Sequence, residues 1–161
     1  MAIVDVRVDD RLIHGQVCGY WIPRFSVEQI VIVDDVIVHD DIRKTALKFG
    51  CPSKTKLSIH SSQKAAELLM KKLDEGHNVM LLCAHAEPLR KMVEYGYSIK
   101  QVTVGNISPN GNDSVHIKGT TYVDKKDIED FKKLISYGVK VVLQMTPSDT
   151  PEDLAPFFAK Q

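Results

Sequence analysis

Short apolar runs alternate with longer amphipathic stretches along nearly the whole chain. The runs are Ile3 to Val8, Gln29 to Val33, Leu57 to His60, Asn78 to Cys83, Gln101 to Val104 and Val139 to Leu143. Most are dense in Val and Ile with few charges, as strands covered on both faces are; a strand with one wet face alternates instead. Between the runs the spacing becomes helical. Val36 to Phe49 reads as a helix closed by Gly50, with Pro52 just beyond. Ser61 or Ser62 offers a cap for a helix through Lys64 to Asp74. Glu87 to Glu94 forms another, and Lys125 to Tyr137 a further one that starts after Asp124 and stops at Gly138. A last helix is expected after Ser148-Asp149-Thr150-Pro151, with Pro151 in its first turn. This alternation predicts an α/β fold, an open, mainly parallel sheet of about six or seven strands with helices on both faces. Residues 105 to 123 break the rhythm. They are rich in Gly, Asn and Ser before Thr120 to Val123, and predict a loop with a small hairpin or edge strand.

Length and charge narrow the picture. The chain has 161 residues, which fits a single domain over 1–161. Lys plus Arg and Asp plus Glu are equal at 21 each, so there is no cationic excess for a nucleic-acid partner. Cys18, Cys51 and Cys83 form no CxxC pair and read as reduced, mostly buried thiols. The start MAIVDVRVDDRLIHG lacks the basic and apolar regions of a signal peptide, and no run approaches the ~20 apolar residues of a membrane span. No HxxxH or HExxH spacing suggests a metal, and no GxGxxG or GxxxxGK[ST] suggests a nucleotide, so no cofactor is expected.

In open α/β sheets ligands bind beyond the carboxyl ends of the strands. That rule selects Asp9, Asp10, Arg11 and His14 after the first run, Asp34 and Asp35 after the second, and His60 and Ser61 after the third. His85 follows the fourth run, and Gly105 and Asn106 the fifth. The densest cluster is Arg7-Val8-Asp9-Asp10-Arg11-Leu12-Ile13-His14-Gly15-Gln16-Val17. A neutral imidazole is a competent nitrogen nucleophile near neutral pH, since its ordinary pKa is ~6.5. Phosphorylating it would create about two negative charges. Arg11 offers planar paired donors for them, the start of the next helix offers backbone N–H groups, and Gly15 lets that backbone come close. Asp9 or Asp10 is placed to fix Arg11 or orient the ring. The same residues also fit turn acids, a surface ion pair and a helix-capping histidine, and residue chemistry alone leaves that open. His39, His77 and His116 read as solvated. His60 and His85 are open between lining the site and simple surface roles. Met70, Met80, Met92 and Leu68-Leu69 read as core filler.

The string VRVDDRLIHGQV, with Trp21 shortly after, resembles the start of the IIB component of the mannose/fructose/sorbose family of bacterial sugar phosphotransferase systems. The likeness extends along the chain through IVIVDD with DIRKTALKFGCP, VTVGN, and LISYGVKVVLQMTPSD. The resemblance implies a cytoplasmic phosphocarrier peripherally associated with its membrane transporter. His14 would carry the phosphoryl group, Arg11 would stabilise it, and Asp9 would orient the ring. The donor would be a phosphohistidine on a IIA partner, and the acceptor a sugar presented by membrane IIC and IID partners. Which sugar, which imidazole nitrogen, and whether a homodimer forms are left open, as are further roles in loop 105–113. Two other classes compete. A receiver domain would use Asp34-Asp35 as a metal pocket, but lacks an aspartate where His60-Ser61 stand. A non-catalytic binding module would use the same loops for contact alone. Trp21 reads equally as a brace for the site loop or as plain core.

Overall fold

The computed structural model describes residues 3–72 and 74–161. Strands β1 (Ile3–Val8), β2 (Gln29–Val33), β3 (Lys56–His60), β4 (Val79–Cys83) and β5 (Gln101–Val104) come first in the chain. A hairpin follows, made of β6 (Val115–Lys118) and β7 (Thr121–Val123), then β8 (Lys140–Leu143) and β9 (Glu152–Asp153). Among the described residues seven strands form one sheet in the order β3-β2-β4-β1-β5-β8-β9, while β6 and β7 form a separate hairpin, with a single bridge from Thr121 to Ile107. All neighbours in the large sheet run parallel except β8 and β9. Parallel neighbours need crossovers, supplied here by α1 (Ile22–Phe25), α2 (Asp41–Gly50), α3 (Ser62–Met70), α4 (Glu87–Glu94) and α5 (Lys125–Ser136). Helix α6 (Ala155–Ala159) follows β9.

Side chains alternate between two apolar layers, as the two-residue period of a strand requires. Val31, Val33, Val79, Leu81 and Cys83 join the layer under α3, α4, α5 and α6, with Leu89, Met92, Phe131 and Phe158. Ile30, Ile32, Met80 and Leu82 join the opposite layer with Leu12, Val17 and Trp21. Most of the apolar runs are therefore strands buried on both faces, as their composition predicted; β3, at the edge of the sheet, is only partly buried.

Three expectations need correction. The helix expected over 36–49 is two pieces, a short 3-10 turn Ile37–His39 and α2. Asp40 adopts an extended backbone and its carboxylate accepts the Arg43 N–H, so it caps α2 and breaks the run. Helix α3 ends at Met70 rather than Asp74, and Lys72 has a φ of 59°. The last helix starts at Ala155 with Pro156, not Pro151, in its first turn, because 152–153 pair with β8. Among the methionines, Met80 and Met92 are buried, but Met70 is 45% exposed. All three cysteines are free; Cys83 is buried and the other two half-buried.

The topology fixes where a site can form. From β1 the chain crosses to β2, beyond β4, and later returns to β5 on the other side of β1. The carboxyl end of β1, between β4 and β5, is the point at which the order reverses, and crevices open at such points.

Candidate functional site

The loop after β1 is stitched to both neighbouring strands. Asp9 N–H donates to the Cys83 carbonyl at 2.9 Å, Asp10 N–H to the Asn106 carbonyl at 2.9 Å, and Gly105 N–H to the Val8 carbonyl at 2.8 Å. Leu12 closes the loop from below. It is fully buried, its N–H donates to the Asp9 carbonyl at 3.0 Å, and its φ is 56°. A left-handed leucine costs about 1–2 kcal/mol, and burying its side chain returns about 1.5–3 kcal/mol, so the core anchor outweighs the backbone cost. His14 then precedes a helical segment whose π-helical turn, Val17–Trp21, runs into α1.

Asp9 is the hub. It is 2% exposed. Its Oδ1 accepts the Arg11 N–H and Nε at 3.1 Å each, and its Oδ2 accepts Arg11 Nη2 at 2.9 Å and the Asn106 N–H at 3.2 Å. Burial pushes this carboxyl up, but His14, the Arg11 fork and the Asn106 N–H outweigh burial and hold it well below the usual carboxylate range. The chain reaches Asp9 this closely only because residue 105 is glycine. A β-carbon there would stand 2.7 Å from Asp9 Oδ2. A β-carbon on Gly15 would meet nothing within 4 Å, so the space beside it is open, whereas Gly105 is closely packed.

His14 has a side chain 14% exposed. Its Nδ1 accepts the Gln16 N–H at 3.2 Å. A backbone N–H can only donate, so Nδ1 presents its lone pair and the ring proton sits on Nε2. Nε2 is buried, lies 3.3 Å from Asp9 Oδ2, and is off the line of a full hydrogen bond. The exposed edge of the ring therefore excludes Nε2. Arg11 Nη2 also donates to Gln16 Oε1 at 2.9 Å, which ties the guanidinium to the start of the helix. The Arg11 side chain is 35% exposed.

The structure thus gathers Asp9, Arg11 and His14 into one cluster. Asp10 turns away, its carboxylate accepting Asn106 Nδ2 at 2.8 Å and the Ser108 N–H at 2.7 Å. The loop after β5 is in turn anchored by the hairpin, where Thr121 Oγ1 donates to the Gly105 carbonyl at 2.7 Å. Asp34 caps a turn through the N–H groups of Val36 and Ile37, and Asp35 accepts from Ser62 and Lys91. Ser61 caps α3, and His60 beside it is half-buried. His85 meets Asp127, Nδ1 to Oδ1 at 3.5 Å. Among the described residues no group of His, Cys, Asp and Glu is arranged to hold a metal ion. Trp21 is both core and brace, 3% exposed with its indole N–H on the Met145 carbonyl at 3.1 Å. The sequence reading passed over Gln16 and Arg7. The signal for Arg7 was present, a lone cation inside an apolar strand, since unpaired charges are rarely buried.

A histidine held at a switch-point loop by a buried carboxylate, with a guanidinium at its side, is an arrangement in an α/β protein that suits group transfer. Comparison with known proteins gives the particular kind. The profile of the phosphotransferase-system sorbose-subfamily IIB component matches residues 3–161. The chain is 37% identical over 153 residues to the fructose-specific EIIB component of Bacillus subtilis, covering 95% of this chain and 93% of that protein. It is 32% identical to the mannose-specific EIIAB component of Escherichia coli over 92% of this chain, which is 46% of that longer protein. The IIBSor domain of the sorbose permease from Klebsiella pneumoniae superposes with a TM-score of 0.89 at 27% identity, covering 100% of this chain and 98% of that one. The chain belongs to the sorbose-subfamily IIB components of the phosphotransferase system. It is a sugar-specific IIB component, a phosphotransferase domain. None of its described helices is long and apolar enough to cross a membrane.

Proposed function

We propose that this IIB component accepts a phosphoryl group on His14 Nδ1 from a phosphohistidine of a IIA partner and delivers it to a sugar at membrane IIC and IID partners. The reading rests on one observation: Nε2 faces the buried Asp9, and Nδ1 faces the helix start beside Arg11. In the first step the Nδ1 lone pair attacks phosphorus and the bond to the donor nitrogen breaks, its electron pair returning to the donor ring. The His14 ring gains positive charge as the bond forms. Asp9 stands against Nε2–H, where that charge is stabilised, as a buried aspartate does for an imidazolium in a catalytic triad. The Gln16 N–H and the Arg11 fork would turn from His14 and Asp9 to the phosphoryl oxygens. In the second step a sugar hydroxyl oxygen attacks phosphorus, its proton passes to solvent water, and the electron pair of the breaking N–P bond returns to Nδ1. A ring that keeps its Nε2 proton is the better leaving group, so the same acid serves both steps.

The relatives' names carry different sugars, fructose for one and mannose for another. That diversity supports a hexose acceptor chosen chiefly by the membrane partners. The work would take place at the cytoplasmic face of the membrane. The test is incubation with a phosphorylated IIA donor, followed by mass analysis and ³¹P–¹⁵N NMR. One acid-labile, base-stable phosphoryl group on His14 Nδ1 is expected, and His14→Ala should fold and take up none. Labelling of His14→Ala, or of His60 or His85, overturns the assignment. The receiver reading requires a phosphoaspartate, which the lability test excludes or reveals; Asp34 and Asp35 already serve local backbone and side-chain groups.

A further inference from the structure

Arg7 lies in β1 with its side chain 1% exposed. A guanidinium withdrawn from water is costly, so its partners must explain its presence. Nε donates to Asp5 Oδ2 at 3.1 Å, and Nη1 donates to the Gln144 carbonyl, just past β8, at 3.0 Å. Its Cζ lies 3.7 Å from the centroid of the Trp21 ring. Trp21 itself holds the next carbonyl, that of Met145. Arg7 and Trp21 thus clamp adjacent residues of one strand end, and the helical segment that follows His14 is seated on Arg7.

The same Nη1 also lies close to the site. A β-carbon on Gly105 would stand 3.4 Å from Arg7 Nη1 and 2.7 Å from Asp9 Oδ2. The cation and the carboxylate behind His14 therefore flank one bare spot that glycine leaves open. Burial lowers the pKa of this guanidinium, and Asp5 and Asp9 both oppose that shift.

Arg11 shows why a second cation matters. Its fork is engaged with Asp9, yet it is the guanidinium exposed enough to meet a phosphoryl group. When it turns outward, Asp9 loses the two side-chain hydrogen bonds of the fork while remaining buried. We propose that Arg7 is a positioning residue that supplies the permanent countercharge to Asp9, so that Asp9 stays ionised and His14 keeps its proton on Nε2 while Arg11 serves the phosphoryl group. This rests on His14 being the acceptor, but its main readout needs no donor.

The test removes the buried charges together, since a lone orphan would unfold the strand. In the double variant Asp5→Asn with Arg7→Met, ¹⁵N NMR of the neutral His14 ring should show a mixture of tautomers where the native protein shows Nε2–H. Phosphoryl uptake from the IIA donor should fall about tenfold or more with KM for the donor unchanged, the signature of a loss felt only in transfer. Arg7→Lys, which keeps the cation but loses the fork and the stack, should be less stable yet retain the single tautomer. A folded double variant with Nε2–H alone and uptake within about twofold of native overturns the proposal. So does a folded Arg7→Lys whose tautomer is mixed, because packing rather than charge would then be the cause. A native protein with the expected tautomer that no IIA donor labels would instead overturn the function proposed above, leaving the electrostatic role of Arg7 intact.

Discussion

His14 and His85 follow neighbouring strands, β1 and β4, on the same edge of the sheet, and each lies against a buried aspartate. They are nonetheless built for different ends. His14 gives Nε2 to Asp9 and Nδ1 to a backbone N–H, and Arg11 stands at its side. His85 gives Nδ1 to Asp127 and has Asp10 and Asp124 as further charged neighbours. A phosphoryl group on His85 would meet carboxylates, whereas one on His14 would meet a guanidinium and amide dipoles. Exposure follows the same division, with side chains 14% and 54% exposed. An acid–histidine pair therefore does not by itself mark a nucleophile. On the function proposed above, what decides is which nitrogen the acid takes, and whether donors or acceptors surround the nitrogen left over.

The contrast breaks most sharply at Asp9. Asp9→Asn keeps the shape but removes the charge that faces Nε2, and an amide can present either oxygen or nitrogen to the ring. The wrong tautomer would then bind as well as the right one. We expect phosphoryl uptake to slow by about 10²–10³-fold with the fold intact. Rapid-quench measurement of the labelling rate checks this; a rate within threefold of native, to order of magnitude, would show that the carboxylate does not set the chemistry. A smaller effect is expected at Arg11. Arg11→Lys keeps the charge and loses the two-point contact with Asp9 and the bond to Gln16. Uptake should fall about tenfold, with little change in melting temperature because the side chain is partly exposed. Equal rates for variant and native protein would leave Arg11 as a structural partner of Asp9 only.

Much of this site was readable from local sequence. The Asp9, Arg11 and His14 constellation spans one short loop, and its contacts are mostly between residues close in the chain. The strands were equally plain, because apolar runs such as β2 and β4 have few other ways to hide their side chains. The supporting layer was not readable. Arg7 meets a carbonyl 137 residues away, and Trp21 one 124 residues away. Gly105 matters because of Asp9, which it meets only after β5 pairs with β1. Such contacts depend on strand order, which the pattern of apolar runs does not encode. The break at Asp40 is a different case. Its signal, an Asp before a helical run, was local, but the apolar Val36, Ile37 and Val38 ahead of it continued the helical pattern and masked the cap.

The smallest effect should come from His85, and it separates stability from chemistry. The hydrogen bond and charge of Asp127 raise the pKa of His85 against burial, with Asp10 and Asp124 adding to the rise. The folded protein therefore favours the imidazolium. That preference stabilises the fold fully below the unfolded histidine pKa, ~6.5, and disappears as the pH rises through the raised folded value. His85→Ala should accordingly lower the melting temperature slightly at pH 5.5 to 6, in the region of about one to two degrees, and by less at pH 8.5. The exposed ring keeps the effect small through solvent screening. Phosphoryl uptake should stay within about twofold of native at either pH, since the charged groups acting on His85 among the described residues are carboxylates, which repel a phosphoryl group. A melting difference that grows with pH would mean that the Asp127 contact does not favour the charged ring. A large loss of uptake with native stability would mean that His85 takes part in transfer, and the distinction drawn between the two histidines would fall.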